Sequence, residues 1–355
     1  MTNSYELTLF YLFGCAFGIL MLRNVHRLLS FFWTGLGVAL SGATVLLAFR
    51  LNSPLLDAVG FLQLLAASAF NGLAAATITL LLQFLLAQLL GLTTTLQLME
   101  ISRPDHPLLQ NILRNAPGTY QHSLQIANLA EQAAERIGAD PLLTRVGSLY
   151  HDAGKVRYPL FFIENQAPGF HNPHDDLTPE ESAAIIIQHV PDGVEIVKKH
   201  HLPKRIQDFV LEHHGTMITS YQYHNALKAA DGNSDQVDKS LFTYPGPKPQ
   251  SRETALVMLA DGVEARARAE RPETAEAVQN LVKEIVDHRL KTGLLSDTKL
   301  TLKDIDEIID SFTTTLRGVY HPRIEYPKSE AISRLSRGQE QTVPREPAPE
   351  VEQPK

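Results

Sequence analysis

Three long uncharged runs within the first hundred residues leave this chain few folds to choose from. Up to position 100 the only charged side chains are Glu6, Arg23, Arg27, Arg50, Asp57 and Glu100. Residues 28–49 carry no charge over 22 positions, and about 20 apolar residues suffice to cross a bilayer. Residues 7–22 are shorter but apolar, and they end at Arg23. No basic stretch precedes them and another apolar run follows at once, which is unlike a cleaved signal. Residues 59–92 stay apolar for 34 positions. That is long for one span and tight for two. They read as one firm span over residues 71–92, behind an apolar segment that is either interfacial or a fourth crossing. Runs like these have no polar face to turn to water, which argues against a buried hairpin in a soluble protein. The basic loop Arg23-Asn24-Val25-His26-Arg27 belongs on the cytoplasmic side. Three crossings then put everything after Leu92 on that side too.

After Glu100 charged residues recur every few positions, and that step is the main boundary. Residues 1–92 read as a transmembrane region, 93–107 as a linker broken at Ser102-Arg103-Pro104-Asp105-His106-Pro107, and 108–327 as one soluble domain. Residues 328–355, rich in Pro, Glu and Gln, read as a disordered tail. The soluble part is nearly all helix. Thr178-Pro179-Glu180-Glu181 is a capping box with proline at the first helical position, and Thr301 to Asp304 looks like a second start of that kind. Residues 224–248 hold Asp231-Gly232-Asn233-Ser234 and Tyr244-Pro245-Gly246-Pro247 and read as a long loop. The expected class is all-α: transmembrane helices followed by a helical bundle.

The net charge of -7 argues against a binder of nucleic-acid polymers, which is usually basic. It leaves room for a small phosphate ligand at a bound metal. Cys15 is the only cysteine, so a cysteine zinc site is excluded and any metal must be held by histidine and carboxylate. His122 shares a stripe with Ile126, Leu129, Ala133 and Ile137. His189 follows Ile185 and Ile186; His213 and His214 follow Phe209 and Val210; Asp261 follows Val257 and Met258; His151-Asp152 closes a run with Val146 and Tyr150. These are mostly helical spacings, and they turn five histidines and two aspartates towards the core. One inward histidine is ordinarily a satisfied core residue. Seven inward polar groups without a matching set of buried Lys or Arg need partners, and metal is the simplest one. Imidazole with carboxylate suits divalent Fe, Mn, Zn or Co. Seven ligands are too many for one four-coordinate ion and fit two that share a carboxylate, an arrangement suited to phosphoryl chemistry. Lys155 follows closely, either as a cation for the phosphate or as a solvated surface lysine.

His122, His151-Asp152-Ala153-Gly154-Lys155, His189, His213-His214 and Asp261 together resemble the HD metal-dependent phosphohydrolases. More closely, Ala116-Pro117-Gly118-Thr119-Tyr120-Gln121-His122-Ser123, Phe161-Phe162-Ile163-Glu164-Asn165-Gln166, His213-His214-Gly215-Thr216 and Tyr244-Pro245-Gly246-Pro247-Lys248-Pro249 resemble the seven-transmembrane HD hydrolases. That family includes bacterial cyclic di-AMP phosphodiesterases, and the similarity runs over roughly residues 27–327. The resemblance implies an HD domain in which His122, His151, Asp152 and Asp261 hold one ion, with Fe or Mn foremost. His189, His213 and His214 would hold a second, with Asp152 bridging. It further implies that Asp152 and Lys155 serve catalysis and Lys155 binds substrate. The reaction would take cyclic di-AMP to linear pApA by a dinuclear metal-hydroxide mechanism. The setting would be the bacterial plasma membrane in a multi-pass, signalling protein with its HD domain cytoplasmic, open to homodimer formation. The family usually carries seven spans and a large extracellular domain. This chain starts near the last three spans, and the expectation is an N-terminally shortened form.

Three alternatives stand beside this. A cyclic di-GMP enzyme of the HD-GYP type needs Gly-Tyr-Pro after the paired histidines, where this chain has Gly215-Thr216-Met217-Ile218. A mononuclear HD nucleotide phosphohydrolase needs only His122, His151, Asp152 and Asp261, and leaves three histidines unexplained. A nucleotide-binding membrane receptor without turnover would be signalled by a lost ligand, and none is lost.

Overall fold

The computed structural model describes residues 4–22, 29–50 and 57–319. The basic loop Arg23–Arg27, the end of the soluble domain after Val319 and the tail at 328–355 lie outside the described residues. Among those described, the chain is helical with no strand, apart from one isolated antiparallel bridge between Ile218 and Thr243.

Helices α1 (Ser4–Leu22), α2 (Leu29–Arg50) and α3 (Ala58–Leu90) are each long and apolar enough to cross a membrane. Helix α2 packs on both neighbours. Small residues let the backbones meet, as is usual where lipid offers no hydrophobic drive. A Cβ on Gly72 would lie 2.2 Å from the Gly35 carbonyl oxygen. Asn71 and Gly72 do not break α3, which runs unbroken for 33 residues, about 50 Å at the helical rise. The apolar segment before Asn71 is thus continuous with the helix that follows it.

The stretch after the third span is not slack. Helix α4 (Thr95–Ile101) is capped by Thr94, whose hydroxyl accepts from Gln97 N, and α5 (Pro107–Asn115) follows after a short turn. Leu98 and Ile101 are buried in the same core as Leu108, Leu109, Ile112 and Tyr150. The Tyr150 hydroxyl donates to the Ile101 carbonyl at 2.6 Å and lies 2.9 Å from His106 Nδ1.

The remaining helices are α6 (Pro117–Ile137), α7 (Pro141–Tyr150), α8 (Pro179–Lys199), α9 (Lys204–Glu212), α10 (Ser220–Ala229), α11 (Arg252–Glu270), α12 (Ala275–Lys291) and α13 (Leu302–Val319). Their starts follow local chemistry. Asp140 caps α7, a reciprocal Thr178–Glu181 box opens α8, and Thr301 and Asp304 cap each other's N–H ahead of α13. Helix α11 is the axis. Thr254 to Ala260 are buried without a break, as in a helix enclosed on every side, and α6, α7, α9 and α12 pack around it. The stretch read as a loop over 224–248 begins inside α10, which continues to Ala229, and only then opens into two 3-10 turns and extended chain. Between Asp152 and Thr178 no α-helix forms; four 3-10 turns carry the chain across the top of α8.

Tyr150 links the segment after the spans to the bundle. Removing its hydroxyl strands a buried carbonyl, at a cost of about 1–3 kcal/mol. Tyr150→Phe should therefore lower the thermal midpoint of the full chain by several degrees with helicity intact, as read by circular dichroism in detergent. A midpoint indistinguishable from the parent would show that the bond contributes nothing.

Candidate metal centre

The seven inward groups come from five places on the bundle. His122 lies on α6, His151-Asp152 at the end of α7, His189 on α8, His213-His214 at the end of α9 and Asp261 on α11. Two glycines let these places approach. Gly215, at φ +53°, turns the chain directly after the paired histidines, a conformation that favours glycine. A Cβ on Gly154 would sit 1.8 Å from the His189 carbonyl oxygen, so the turn after Asp152 lies backbone to backbone against α8.

Three of the imidazoles are oriented in the same manner. His151 Nδ1 donates to the Ser148 carbonyl at 2.7 Å, His189 Nδ1 to Ile186 at 2.5 Å and His213 Nδ1 to Val210 at 2.9 Å. Each bond places the proton on Nδ1 and leaves Nε2 as a bare lone pair aimed inward. His189 and His213 present these lone pairs to each other at 3.4 Å. Asp152 lies between the rings. Its Oδ1 is 3.3 Å from His189 Nε2 and 3.6 Å from His213 Nε2. Its Oδ2 is 3.2 Å from His151 Nε2 and 3.7 Å from His122 Nε2. His122 Nε2 also meets Asp261 Oδ1 at 3.1 Å, and His214 Nδ1 lies 3.7 Å from Asp261 Oδ2. Two ligand sets result, each drawn close enough to hold an ion: Asp152, His189, His213 and His214 on one side, His122, His151 and Asp261 on the other.

A metal fits this arrangement on the evidence of the orphaned atoms. His151 Nε2, both Asp152 oxygens and His214 Nδ1 are buried and receive no hydrogen bond. Such groups are costly unless something pairs with them, and all are acceptors or lone pairs facing a common space. The nitrogen and oxygen donor set suits a first-row divalent ion.

The charges are arranged to keep the site anionic. Burial would raise the Asp152 carboxyl, but its polar surroundings, the Lys155 charge among them, hold it well below the usual range. Burial would likewise raise Asp261, and the hydrogen bond and charge of His122 hold it far down. Burial pushes His213 down to about 4 and His214 well below its ordinary value, so both rings are neutral. His122 goes the other way. Burial opposes its charge, but the bonds to Asp261 and Glu264 outweigh it and lift the group to about 9.

Lys155, read as a phosphate cation or a surface lysine, is not on the surface. Its Nζ lies 2.8 Å from Asp152 Oδ2 and 2.9 Å from Glu164 Oε1, 5.0 Å from the Phe162 ring centre. Three further residues of the site escape the reading from spacing. Glu264 holds His122 Nδ1 at 2.5 Å; its place one turn beyond Asp261 was the available signal. Glu164 binds Lys155 and accepts from Thr119 Oγ1. The Tyr244 ring stacks on His214 at 4.3 Å. Glu164 and Tyr244 lie outside the α-helices, where periodicity carries no information.

Two cavities flank the centre. One of about 870 Å³ reaches His214, Asp261 and Tyr244, and one of about 700 Å³ reaches Phe162 and Glu164; Ile186, Tyr221 and Gln222 line both.

Comparison with known proteins agrees with this geometry. The HD domain family matches residues 119–266. The chain is 38 % identical over 329 residues to the cyclic-di-AMP phosphodiesterase PgpH of Bacillus subtilis, covering 92 % of this chain and 46 % of that protein. It is 40 % identical over 322 residues to PgpH of Listeria monocytogenes, covering 90 % of this chain and 44 % of that protein. It thus spans about half the length of the curated relatives it matches. The crystal structure of the L. monocytogenes PgpH HD domain in complex with cyclic-di-AMP is matched over its whole length and 61 % of this chain, at 43 % identity and a TM-score of 0.58.

Two outcomes follow from the charges. Glu264→Gln removes the carboxylate behind His122 and should weaken metal binding by about 10- to 100-fold, measured by competition with a chelating dye; unchanged affinity would remove Glu264 from the site. Metal-free His122 is protonated below about pH 9, and an ion taken up through its Nε2 must expel that proton, whereas neutral His213 and His214 have none to give. Calorimetric titration with Mn²⁺ near neutral pH, in two buffers of different ionisation enthalpy, should show release of about one proton and an affinity that weakens as pH falls. No proton release would contradict the pairing of His122 with Asp261 and Glu264.

Proposed function

Because the chain belongs to the HD-domain family and its soluble part has the fold of the PgpH HD domain, we propose that it is a metal-dependent phosphodiesterase that converts cyclic di-AMP to linear pApA. The observation that carries this reading is the match, at 43 % identity, to an HD domain solved with cyclic-di-AMP, joined to seven converging ligands. In the reaction one water adds across one P–O3′ bond, leaving a 3′-hydroxyl and a 5′-phosphate; the second diester stays intact.

His122, His151 and Asp261 would hold one divalent ion and His189, His213 and His214 another, with Asp152 serving both; Fe and Mn suit the donors. Bound ions would supply activation of water and neutralisation of charge at the phosphoryl group. The chain's own groups prepare that chemistry. The Nδ1 bonds of His151, His189 and His213 keep the rings from turning. Lys155 donates to Glu164 and pairs by charge with Asp152, and a further proton is left for a phosphate oxygen of the substrate. Tyr244 covers His214 and shields that edge from water. A mononuclear phosphohydrolase has no use for His189, His213 and His214 meeting at Asp152, and a receptor without turnover has no use for the full set. The HD domain is proposed to face the cytoplasm of a bacterial plasma membrane, on the strength of the basic Arg23–Arg27 loop.

The pair of ions is tested by His213→Ala in the full chain in detergent. Metal analysis should show one of two equivalents lost, and turnover of cyclic di-AMP should fall by at least ~100-fold. Full metal content with normal turnover would move the mononuclear reading to the front.

A further inference from the structure

The larger cavity beside the metal centre holds a cation that the chemistry described so far leaves idle. Arg289, on α12, lines it together with His214, Asp261 and Tyr244. Its guanidinium lies against the backbone of α11 next to a proposed metal ligand: a Cβ on Gly262, the residue after Asp261, would stand 3.3 Å from Arg289 Nη2. Its Nε is buried and has no hydrogen-bond partner. The other cations of this cavity differ. Arg266 is spoken for by Glu270 at 2.6 Å and Glu284 at 2.7 Å, and Lys239 is exposed to water. Among the described residues Arg289 makes no ion pair with a carboxylate. Burial works against its charge, and Asp261 offsets this only in part.

A partly buried guanidinium without a partner is costly, and a planar fork of donors is matched by an oxyanion such as phosphate. A cyclic dinucleotide brings two phosphates. The metal centre and Lys155 account for the one that is cleaved. The other remains charged while the ring enters the cavity, and it too needs a cation.

We propose that Arg289 is the receptor for the non-scissile phosphate of the cyclic dinucleotide, and thereby the residue that distinguishes a two-phosphate ring from a simple phosphodiester. The inference rests on the cyclic dinucleotide reading above. Gly262 is part of the device, since any side chain there would push the guanidinium away from α11.

The test compares two substrates on the full chain, loaded with Mn²⁺ in detergent. Cyclic di-AMP has the second phosphate; bis(4-nitrophenyl) phosphate has only the one that is cleaved. Arg289→Gln should raise KM for cyclic di-AMP about 10- to 100-fold, the loss expected for charged hydrogen bonds, with kcat little changed. Its kcat/KM for the single diester should stay within about twofold of the parent, and Arg289→Lys should recover part of the KM by restoring charge without the fork. An unchanged KM for cyclic di-AMP in Arg289→Gln overturns the proposal. An equal loss on both substrates in Arg289→Gln and Arg289→Lys also overturns it, since that reports a damaged site and not a missing phosphate receptor. Failure of the underlying reading looks different: the parent chain itself then splits the single diester and leaves cyclic di-AMP intact, and Arg289 loses its assigned ligand with it.

Discussion

The Asp152 carboxylate is 2 % exposed and touches imidazoles from three other helices as well as its own neighbour His151. A negative charge taken that far out of water is tolerated only where positive charge surrounds it. The helices of the soluble domain are disposed to meet that demand. Helix α7 must end at Tyr150 so that His151 and Asp152 turn inward together. Helices α8 and α9 must bring their rings within reach of Oδ1 and α6 must bring His122 to Oδ2, while α11 supplies the second carboxylate from the axis of the bundle. Lys155 is held in the same small space by Glu164. None of these groups is stable there alone, and together with bound cations they are mutually paired.

That demand extends towards the membrane. The residue before His151 is Tyr150, whose hydroxyl is bonded to the last carbonyl of α4. The segment leaving the third span is therefore fastened one residue away from a proposed metal ligand. The intervening chain is short helix packed in the core.

Much of this was legible in the residues because helices repeat. His122 and Asp261 sit on stripes of buried aliphatic residues, and a period of 3.6 turns such a stripe into a direction. The caps at Thr178 and Thr301 were legible for a related reason, since hydroxyl and carboxylate chemistry at a helix start is local. Where partners come from afar, sequence is mute. Glu164 reaches Lys155 and Thr119 from a string of 3-10 turns, Tyr244 reaches His214 from extended chain, and Arg289 meets Gly262 across two helices. Helix α3 starts earlier than the span read from residue 71, because Gly72 serves close approach of α2 and the helix passes straight through it.

The geometry of the centre also dictates an order in time. His122 and Asp261, which meet at 3.1 Å, are 139 residues apart in the chain, and at synthesis rates of about 5–20 residues per second they leave the ribosome roughly 7–28 s apart. The three spans precede both. The three apolar helices are thus synthesised well before the cluster of ligands can close, and for that interval the histidines already made form only part of it. Asp261, on the axis of the bundle, acts as the latch: until it emerges the cluster lacks its second carboxylate.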